Sequence, residues 1–121
     1  MHILICDDDP TIRYLLEIVL GRLGGHQVIS VPNSHSATRT AAEQQPDLIL
    51  LDYVMPGRTG AEVAAELATA EATAGIPVVF LTGRSDLSQD VDLAGLGVKG
   101  VIEKPFDTAS LSDRLIELAS A

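Results

Sequence analysis

The chain has 121 residues, of which 46% are hydrophobic and only 3% aromatic, so it can build one core packed mainly by aliphatic and alanine side chains. Its net charge of -9 disfavours direct binding of nucleic acid, whose phosphates would be repelled, and is compatible with a cation or a basic protein partner. No apolar run approaches the roughly 20 residues that span a bilayer, no signal peptide is visible, and a single cysteine suits a reducing compartment, so we expect a cytoplasmic domain without membrane contact.

Short apolar runs are the strand candidates. They are continuous rather than alternating and rich in Val, Ile and Leu, which is typical of strands buried on both faces of a parallel sheet. In chain order they cover residues 3–6, 28–31, 48–51, 78–81 and 98–102. A longer amphipathic stretch follows each run and is a helix candidate.

The first predicted helix begins with Asp9 as N-cap and Pro10 at the first helical position, and it ends at the glycine pair 24–25. Its apolar side chains follow the spacing of one buried face: Ile12, Leu15, Leu16, Val19 and Leu23. The other helices are predicted at about residues 34–45, 60–74, 85–94 and from 108 toward the end. The alternation predicts a single α/β domain over residues 1–121, a (βα)5 fold with helices on both faces of a doubly wound parallel sheet.

Ligands of such sheets bind beyond the carboxyl ends of the strands, where the strand order reverses. The residues that follow the five apolar runs are therefore the candidate site. They are Asp7-Asp8-Asp9, Pro32-Asn33, Asp52, Thr82-Gly83 and Lys104-Pro105. Arg13 is the only Lys or Arg within six residues of the acidic triplet.

Asp7, Asp8 and Asp52 converge if the first and third strands are neighbours. Carboxylates within a few Å of one another cannot all stay ionised without a counter-charge, so either a pKa rises or a cation binds among them. Hard oxygen ligands, with no His or Cys among the three converging side chains, favour Mg²⁺. Together with a hydroxyl from Thr82 and a mobile charge from Lys104, such a site is suited to phosphoryl transfer.

Four segments carry a family resemblance: "ILICDDDP", "LILLDYVMPGRTG", "VVFLTG" and "VKGVIEKPF". In this order and spacing they resemble the receiver domain of two-component response regulators, over essentially the whole chain. Each segment alone is a weak signal, but four in register are specific. The resemblance implies a flavodoxin-like fold, similar to the chemotaxis receiver, with a five-stranded sheet in the order 2-1-3-4-5.

The resemblance also implies roles for the acidic residues. Asp52 corresponds to the phosphoacceptor, which attacks a phosphohistidine of a sensor histidine kinase or histidine phosphotransfer protein, or a small acyl phosphate. Asp8 and Asp52 would ligate Mg²⁺ directly, together with the backbone carbonyl of Val54, and Asp7 would act through water.

Further implied roles concern the fourth and fifth strands. Thr82 would bond a phosphoryl oxygen and Lys104 would bridge the phosphoryl group and an acidic partner. The Lys104–Pro105 bond matches a cis peptide of the family. A receiver is a phosphoacceptor that catalyses its own phosphorylation and dephosphorylation, and is not an enzyme in the ordinary sense, because it is substrate and product at once.

Departures from the family pattern occur at three positions of the expected site. Val101 stands three positions before the lysine, where an aromatic residue is common, so switching must depend more on Thr82. Val54 replaces a polar side chain two residues past the acceptor, and Arg84 could reach across the mouth of the site. We expect Val54 and Arg84 to modulate the lifetime of the phosphorylated state, which the hypothesis puts at minutes or longer.

Output is expected through protein contacts. The resemblance places the downstream surface on the face formed by the fourth helix, the fifth strand and the fifth helix, which includes Val101. We expect a stand-alone regulator in a phosphorelay, with no direct contact to nucleic acid or membrane.

Other functions remain open on the residues alone. An aspartyl-phosphate phosphatase of haloacid-dehalogenase type would use Asp7 and Asp9 at the end of the first strand, but Asp9 is better placed as a helix cap. A flavin binder on the same fold would have its phosphate repelled by three aspartates. A phosphorylation-independent scaffold would normally lack the acceptor, the acidic pair or the lysine, and all are present here.

Overall fold

The structure, a computed structural model, describes residues 1–83 and 92–121. Five parallel strands form its main sheet in the order β2-β1-β3-β4-β5, which confirms the predicted flavodoxin-like topology. The strands are β1 His2–Cys6, β2 Gln27–Val31, β3 Leu48–Asp52, β4 Val78–Thr82 and β5 Val98–Glu103. Each extends the predicted run by one residue at one end.

The strand register brings the functional edge together. Cys6 at the end of β1 pairs with Leu51 of β3, and Asp52 pairs with Leu81 of β4. Side chains alternate between the two faces of the sheet, so that Leu4 lies in one apolar core and Ile3 in the other. Because both faces are covered, the strands position their last residues rigidly at one edge.

Four α-helices lie within the described residues: α1 Pro10–Leu16, α2 Ser34–Gln44, α3 Gly60–Thr69 and a C-terminal helix, Leu111–Ala119. The predicted start of α1 is confirmed, because Pro10 is its first residue and the Asp9 carboxylate accepts a hydrogen bond of 2.9 Å from the Thr11 N–H. Within residues 1–83 and 92–121, no helix has both the length and the apolarity to cross a membrane.

The first helix differs from its prediction in the second half. After Leu16 the chain continues as a π-helix, Glu17–Leu23, whose hydrogen bonds close over five residues rather than four. The wider turn rotates the apolar stripe beyond Leu16, so the prediction that Leu23 is a core residue was wrong: it is 76% exposed. Leu15, which lies within α1, was also wrongly predicted as a core residue and is 37% exposed. Leu20 is buried instead.

The third helix is shorter than predicted. It ends at Thr69 rather than near residue 74, because Ala70 adopts an extended backbone with ψ 128°. The Thr73 hydroxyl donates a 2.7 Å hydrogen bond to the Leu67 carbonyl, which satisfies a group that a longer helix would have bonded.

The last two predicted helices also differ. The fourth, at about 85–94, lies mostly outside the described residues, and residues 93–97 form turns. The C-terminal helix begins at Leu111 rather than at 108. The Asp107 carboxylate accepts a 3.0 Å hydrogen bond from the Ala109 N–H, a local turn that competes with an earlier helix start.

A two-stranded hairpin follows β3 and supports the loop after Asp52. Its strands, Val54–Met55 and Arg58–Thr59, are antiparallel. Directly after the hairpin, the Gly60 N–H donates to the Tyr53 carbonyl at 2.6 Å, so the two backbones are in close contact. A Cβ at position 60 would lie 2.8 Å from the Tyr53 Cα and 3.2 Å from the Phe80 ring.

We therefore expect Gly60→Ala to lower the free energy of unfolding by about 1–3 kcal/mol, since backbone atoms must move to admit the methyl group. Urea denaturation measures the loss. Gly75→Ala is the matched control, because a Cβ at that exposed position would meet nothing within 4 Å. Equal stabilities of the two variants would contradict the packing argument.

Candidate functional site

The carboxyl edge of the sheet brings together four predicted site residues. Asp7 follows β1, Asp52 ends β3, Thr82 ends β4 and Lys104 follows β5. The ends of β4 and β5 are joined directly, because the Lys104 N–H donates to the Thr82 carbonyl at 2.7 Å. Asp8 lies next to Asp7 on the loop that leads into α1.

Three carboxylates form the centre of the site. Oxygen atoms of Asp7, Asp8 and Asp52 all lie within 4.8 Å of one another, a spacing that could hold a metal ion. Asp7 is fully buried and Asp52 is 5% exposed, whereas Asp8 is exposed. Carboxylate oxygens are the ligands that hard cations such as Mg²⁺ prefer, so the donor set fits such an ion.

Lys104 is the counter-charge to the two buried carboxylates. Its Nζ lies 3.2 Å from the Asp7 Oδ2 and 3.5 Å from the Asp52 Oδ1. Partial burial disfavours the ammonium charge, but the carboxylates of Asp52 and Asp7 outweigh it and raise the pKa of Lys104 above its ordinary value. The amine therefore stays protonated at neutral pH.

Burial and the nearby Asp7 charge raise the pKa of Asp52 to about 6, against the opposing effect of Lys104 and of the Val54 N–H. That N–H donates to the Asp52 Oδ1 at 3.3 Å. Above about pH 6 the carboxylate is ionised in an environment that disfavours its charge. A cation held among these carboxylates would offset this repulsion.

Each polar group of Asp7 has a hydrogen-bond or ion-pair partner. Its N–H donates to the Val31 carbonyl at 3.2 Å, its Oδ1 accepts from the Asp9 N–H at 2.9 Å, and its Oδ2 faces Lys104. Its carbonyl accepts a 2.7 Å hydrogen bond from the Arg13 Nη1. The sequence does not predict this last contact; its one signal is that Arg13 is the only Lys or Arg within six residues of the triplet.

Other predicted site residues surround the three carboxylates. Thr82 is buried, 1% exposed, at the last position of β4. The Val54 side chain is 66% exposed beside the acceptor, and its backbone belongs to the hairpin. The Lys104–Pro105 peptide bond is cis.

Val101 and Arg84 are two further positions that depart from the family pattern. Val101 is half-buried on β5, where it pairs with Phe80 and packs against the core. Arg84 lies outside the described residues. Cys6, directly before the triplet, is buried, and burial together with the nearby carboxylates raises the pKa of its thiol to about 12, so it stays neutral.

Two recesses adjoin the site. One, of about 310 Å³ and mostly apolar, lies between α1 and the residues after β5: Ile12, Leu15, Lys104, Pro105 and Phe106. The other, of about 420 Å³, lies between β5 and the C-terminal helix, and its lining includes Val101, Glu103, Phe106 and Arg114.

Comparisons with known proteins agree with this geometry. A family model described as the response regulator receiver domain matches residues 3–116. The phosphate regulon transcriptional regulatory protein PhoB of Pseudomonas aeruginosa is 34% identical over 113 residues, which cover 93% of this chain and 49% of that protein. The protein PilH of the same organism is 34% identical over 110 residues, which cover 91% of this chain and 90% of PilH.

The chain thus spans about half the length of PhoB and of most of the other similar curated relatives, and nearly all of PilH. Among solved structures, the receiver domain of a sensor histidine kinase from Pseudomonas aeruginosa PAO1 superposes with a TM-score of 0.84 at 27% identity. The match covers 99% of this chain and 98% of that one, and that receiver has a magnesium ion coordinated in its active site cleft.

Proposed function

This chain belongs to the family of response regulator receiver domains, and on that premise we propose that Asp52 accepts the phosphoryl group in a two-component phosphorelay. One observation carries the assignment: Asp52 lies buried at the carboxyl edge of the sheet, with two further carboxylates within 4.8 Å and the Lys104 Nζ at 3.5 Å. Residues 1–121 would then act as one receiver domain.

The cation in this proposal is Mg²⁺. The three carboxylates fit it by charge and by their oxygen donors. Asp8, Asp52 and the backbone carbonyl of Val54 would hold the ion directly, and Asp7 would do so through water. When bound, the ion supplies positive charge that offsets the oxygens of the phosphoryl group.

Three side chains, Asp52, Lys104 and Thr82, would carry out the transfer of the phosphoryl group. The ionised Asp52 carboxylate attacks phosphorus, so that an oxygen–phosphorus bond forms while the bond from phosphorus to the donor's imidazole nitrogen, or to an acyl oxygen, breaks. Lys104, held by Asp7, offsets charge on the phosphoryl oxygens, and the Thr82 hydroxyl donates a hydrogen bond to one of them. Self-catalysed phosphorylation and dephosphorylation follow from this arrangement.

The donor would be a sensor histidine kinase or a histidine phosphotransfer protein, which would dock at the apolar recess beside Lys104 and so reach Asp52. A downstream protein would bind at the recess between β5 and the C-terminal helix, where Val101 replaces the family's aromatic switch residue. Direct binding of nucleic acid is not part of this proposal, given the net charge of -9. A cytoplasmic location accords with the reduced, buried Cys6.

The test is incubation with acetyl phosphate or phosphoramidate and Mg²⁺, followed by intact mass measurement. We expect one phosphoryl adduct on the wild type, and none on Asp52→Ala or in the presence of a chelator. The assignment would be refuted if the wild type gained no adduct, which is the result expected of a phosphorylation-independent scaffold. It would also be refuted if Asp52→Ala retained the adduct. Phosphomonoester turnover that survives Asp52→Ala but not Asp7→Ala would favour the phosphatase alternative.

The same assay tests the roles of Val54 and Arg84. The exposed apolar side chain of Val54 beside the acceptor would restrict the water that hydrolyses the acyl phosphate, and Arg84 would act at the mouth of the site. After removal of the phosphodonor, the adduct is expected to persist for minutes or longer and to decay faster in Val54→Asn and in Arg84→Ala. Unchanged decay in a variant would remove that residue from the proposal.

A further inference from the structure

We propose that Arg13 is a positioning residue for the cation site: its guanidinium holds the peptide unit between Asp7 and Asp8 and thereby directs the Asp8 carboxylate toward the metal. This inference rests on the proposed function of the acidic cluster as a Mg²⁺ site. It concerns a residue that acts through the backbone of the acidic cluster.

The contact is short and specific. The Arg13 Nη1 donates to the Asp7 carbonyl at 2.7 Å, and the Arg13 side chain is half-buried. That carbonyl belongs to the planar peptide unit whose nitrogen is the amide of Asp8. A hydrogen bond that fixes the direction of the Asp7 carbonyl therefore also fixes the orientation of the Asp8 backbone N–H.

Asp8 depends on this anchor more than its neighbours do. Asp7 is held by Lys104 and by the Asp9 N–H, and Asp52 by Lys104 and the Val54 N–H. The Asp8 side chain is exposed and forms no hydrogen bond or ion pair with any other residue of the ranges 1–83 and 92–121. Among these residues, its orientation is set through its backbone.

The contact of Arg13 lies outside α1. Arg13 is the fourth residue of that helix, but its guanidinium bonds the Asp7 carbonyl, which precedes the N-cap Asp9. An arginine suits this role because its planar fork loses little freedom when it forms a hydrogen bond.

A simple counter-charge role and a positioning role predict opposite results. If Arg13 only offset the charge of the carboxylates, removing it would strengthen cation binding, since a positive charge near the metal would be lost. If it positions Asp8, removing it weakens cation binding despite that electrostatic gain. The sign of the change in Mg²⁺ affinity distinguishes the two roles.

The experiment is a Mg²⁺ titration of the full chain followed by backbone amide NMR, which reports the dissociation constant without phosphorylation. We expect Arg13→Met to bind Mg²⁺ roughly tenfold more weakly than the wild type, the loss typical of one hydrogen bond from a charged donor. Arg22→Met, which removes an exposed arginine from the π-helix that continues α1, is the matched control and should bind as tightly as the wild type or slightly more tightly.

Arg13→Lys keeps the charge and shortens the reach, so weaker binding in this variant is purely geometric, and the comparison holds even if Arg13→Met does not fold. An affinity equal to or above that of the wild type in every Arg13 variant that folds would overturn the inference, as would an equal loss in Arg22→Met. A wild type that does not bind Mg²⁺ would instead refute the metal site of the proposed function, and the role of Arg13 with it.

Discussion

Replacing Asp52 with asparagine is expected to make the metal-free protein more stable at about pH 7.5, by on the order of 2 kcal/mol. Asparagine has nearly the same shape and keeps an oxygen that can accept from the Val54 N–H. It removes a charge that burial and Asp7 disfavour, while Lys104 retains its 3.2 Å contact with Asp7. The variant loses the phosphoacceptor and gains stability.

The pH dependence of this effect has a definite sign. The pKa of Asp52 is raised from 3.8 to about 6, so the folded state binds this proton more readily than the unfolded chain does. The resulting stabilisation is complete below the unfolded pKa and is lost as pH rises through about 6. In the presence of a chelator, the wild type should therefore lose stability between about pH 4 and pH 6 through this group, whereas Asp52→Asn should not.

Urea denaturation at about pH 5 and about pH 7.5 measures both effects. Asp8→Asn is the matched control within the same cluster. From the sequence alone, neutralising Asp8 is also expected to stabilise the metal-free domain, but its side chain is exposed, so solvent screens its charge and the gain should be smaller. A larger gain in Asp8→Asn than in Asp52→Asn would contradict the assignment of the repulsion to the buried pair.

The sheet is predictable because its strands carry an unambiguous signal. Buried parallel strands are continuous apolar runs, and the polar residue that ends each run marks the carboxyl edge. This is why the amino-acid sequence is enough to group Asp7, Asp52, Thr82 and Lys104. Their mutual placement depends on topology alone, and the topology follows from the alternation of strands and helices and from the family resemblance.

Other features depend on contacts without a periodic signature. The π-helix after Leu16 changes the helical period, so Leu23 is predicted as a core residue but is exposed, whereas Leu16 and Val19 are buried as predicted. The bond from Arg13 to the Asp7 carbonyl joins a side chain to a backbone six residues away, which no helix or strand spacing indicates. The sequence also suggests repulsion among the aspartates without showing that Lys104 contacts two of them.

Replacing Lys104 with methionine tests whether its ammonium group offsets the charges of Asp7 and Asp52. The variant leaves Asp7 and Asp52 buried without their ammonium partner, and a buried charge that loses its partner typically costs about 3–5 kcal/mol. Because the Lys104 side chain is 27% exposed, solvent screens part of the interaction, and we expect a loss of about 2–3 kcal/mol at about pH 8. Urea denaturation in the presence of a chelator measures it.

The control is Lys99→Met on the same strand, since the exposed Lys99 amine donates only to the Ala121 carbonyl, at 3.2 Å, among the residues that the structure describes. Its loss of stability should be roughly a few tenths of a kcal/mol at most.

The loss in Lys104→Met should shrink toward about pH 5, because Asp52 then takes up a proton and the buried pair carries one charge fewer. Mg²⁺ should restore more stability to Lys104→Met than to the wild type, since the cation replaces the missing positive charge. The double variant Lys104→Met with Asp52→Asn should be less destabilised than Lys104→Met alone, because only one buried carboxylate remains. A loss that is independent of pH and additive in the double variant would mean that Lys104 stabilises the fold by packing, and that the two carboxylates do not share its charge.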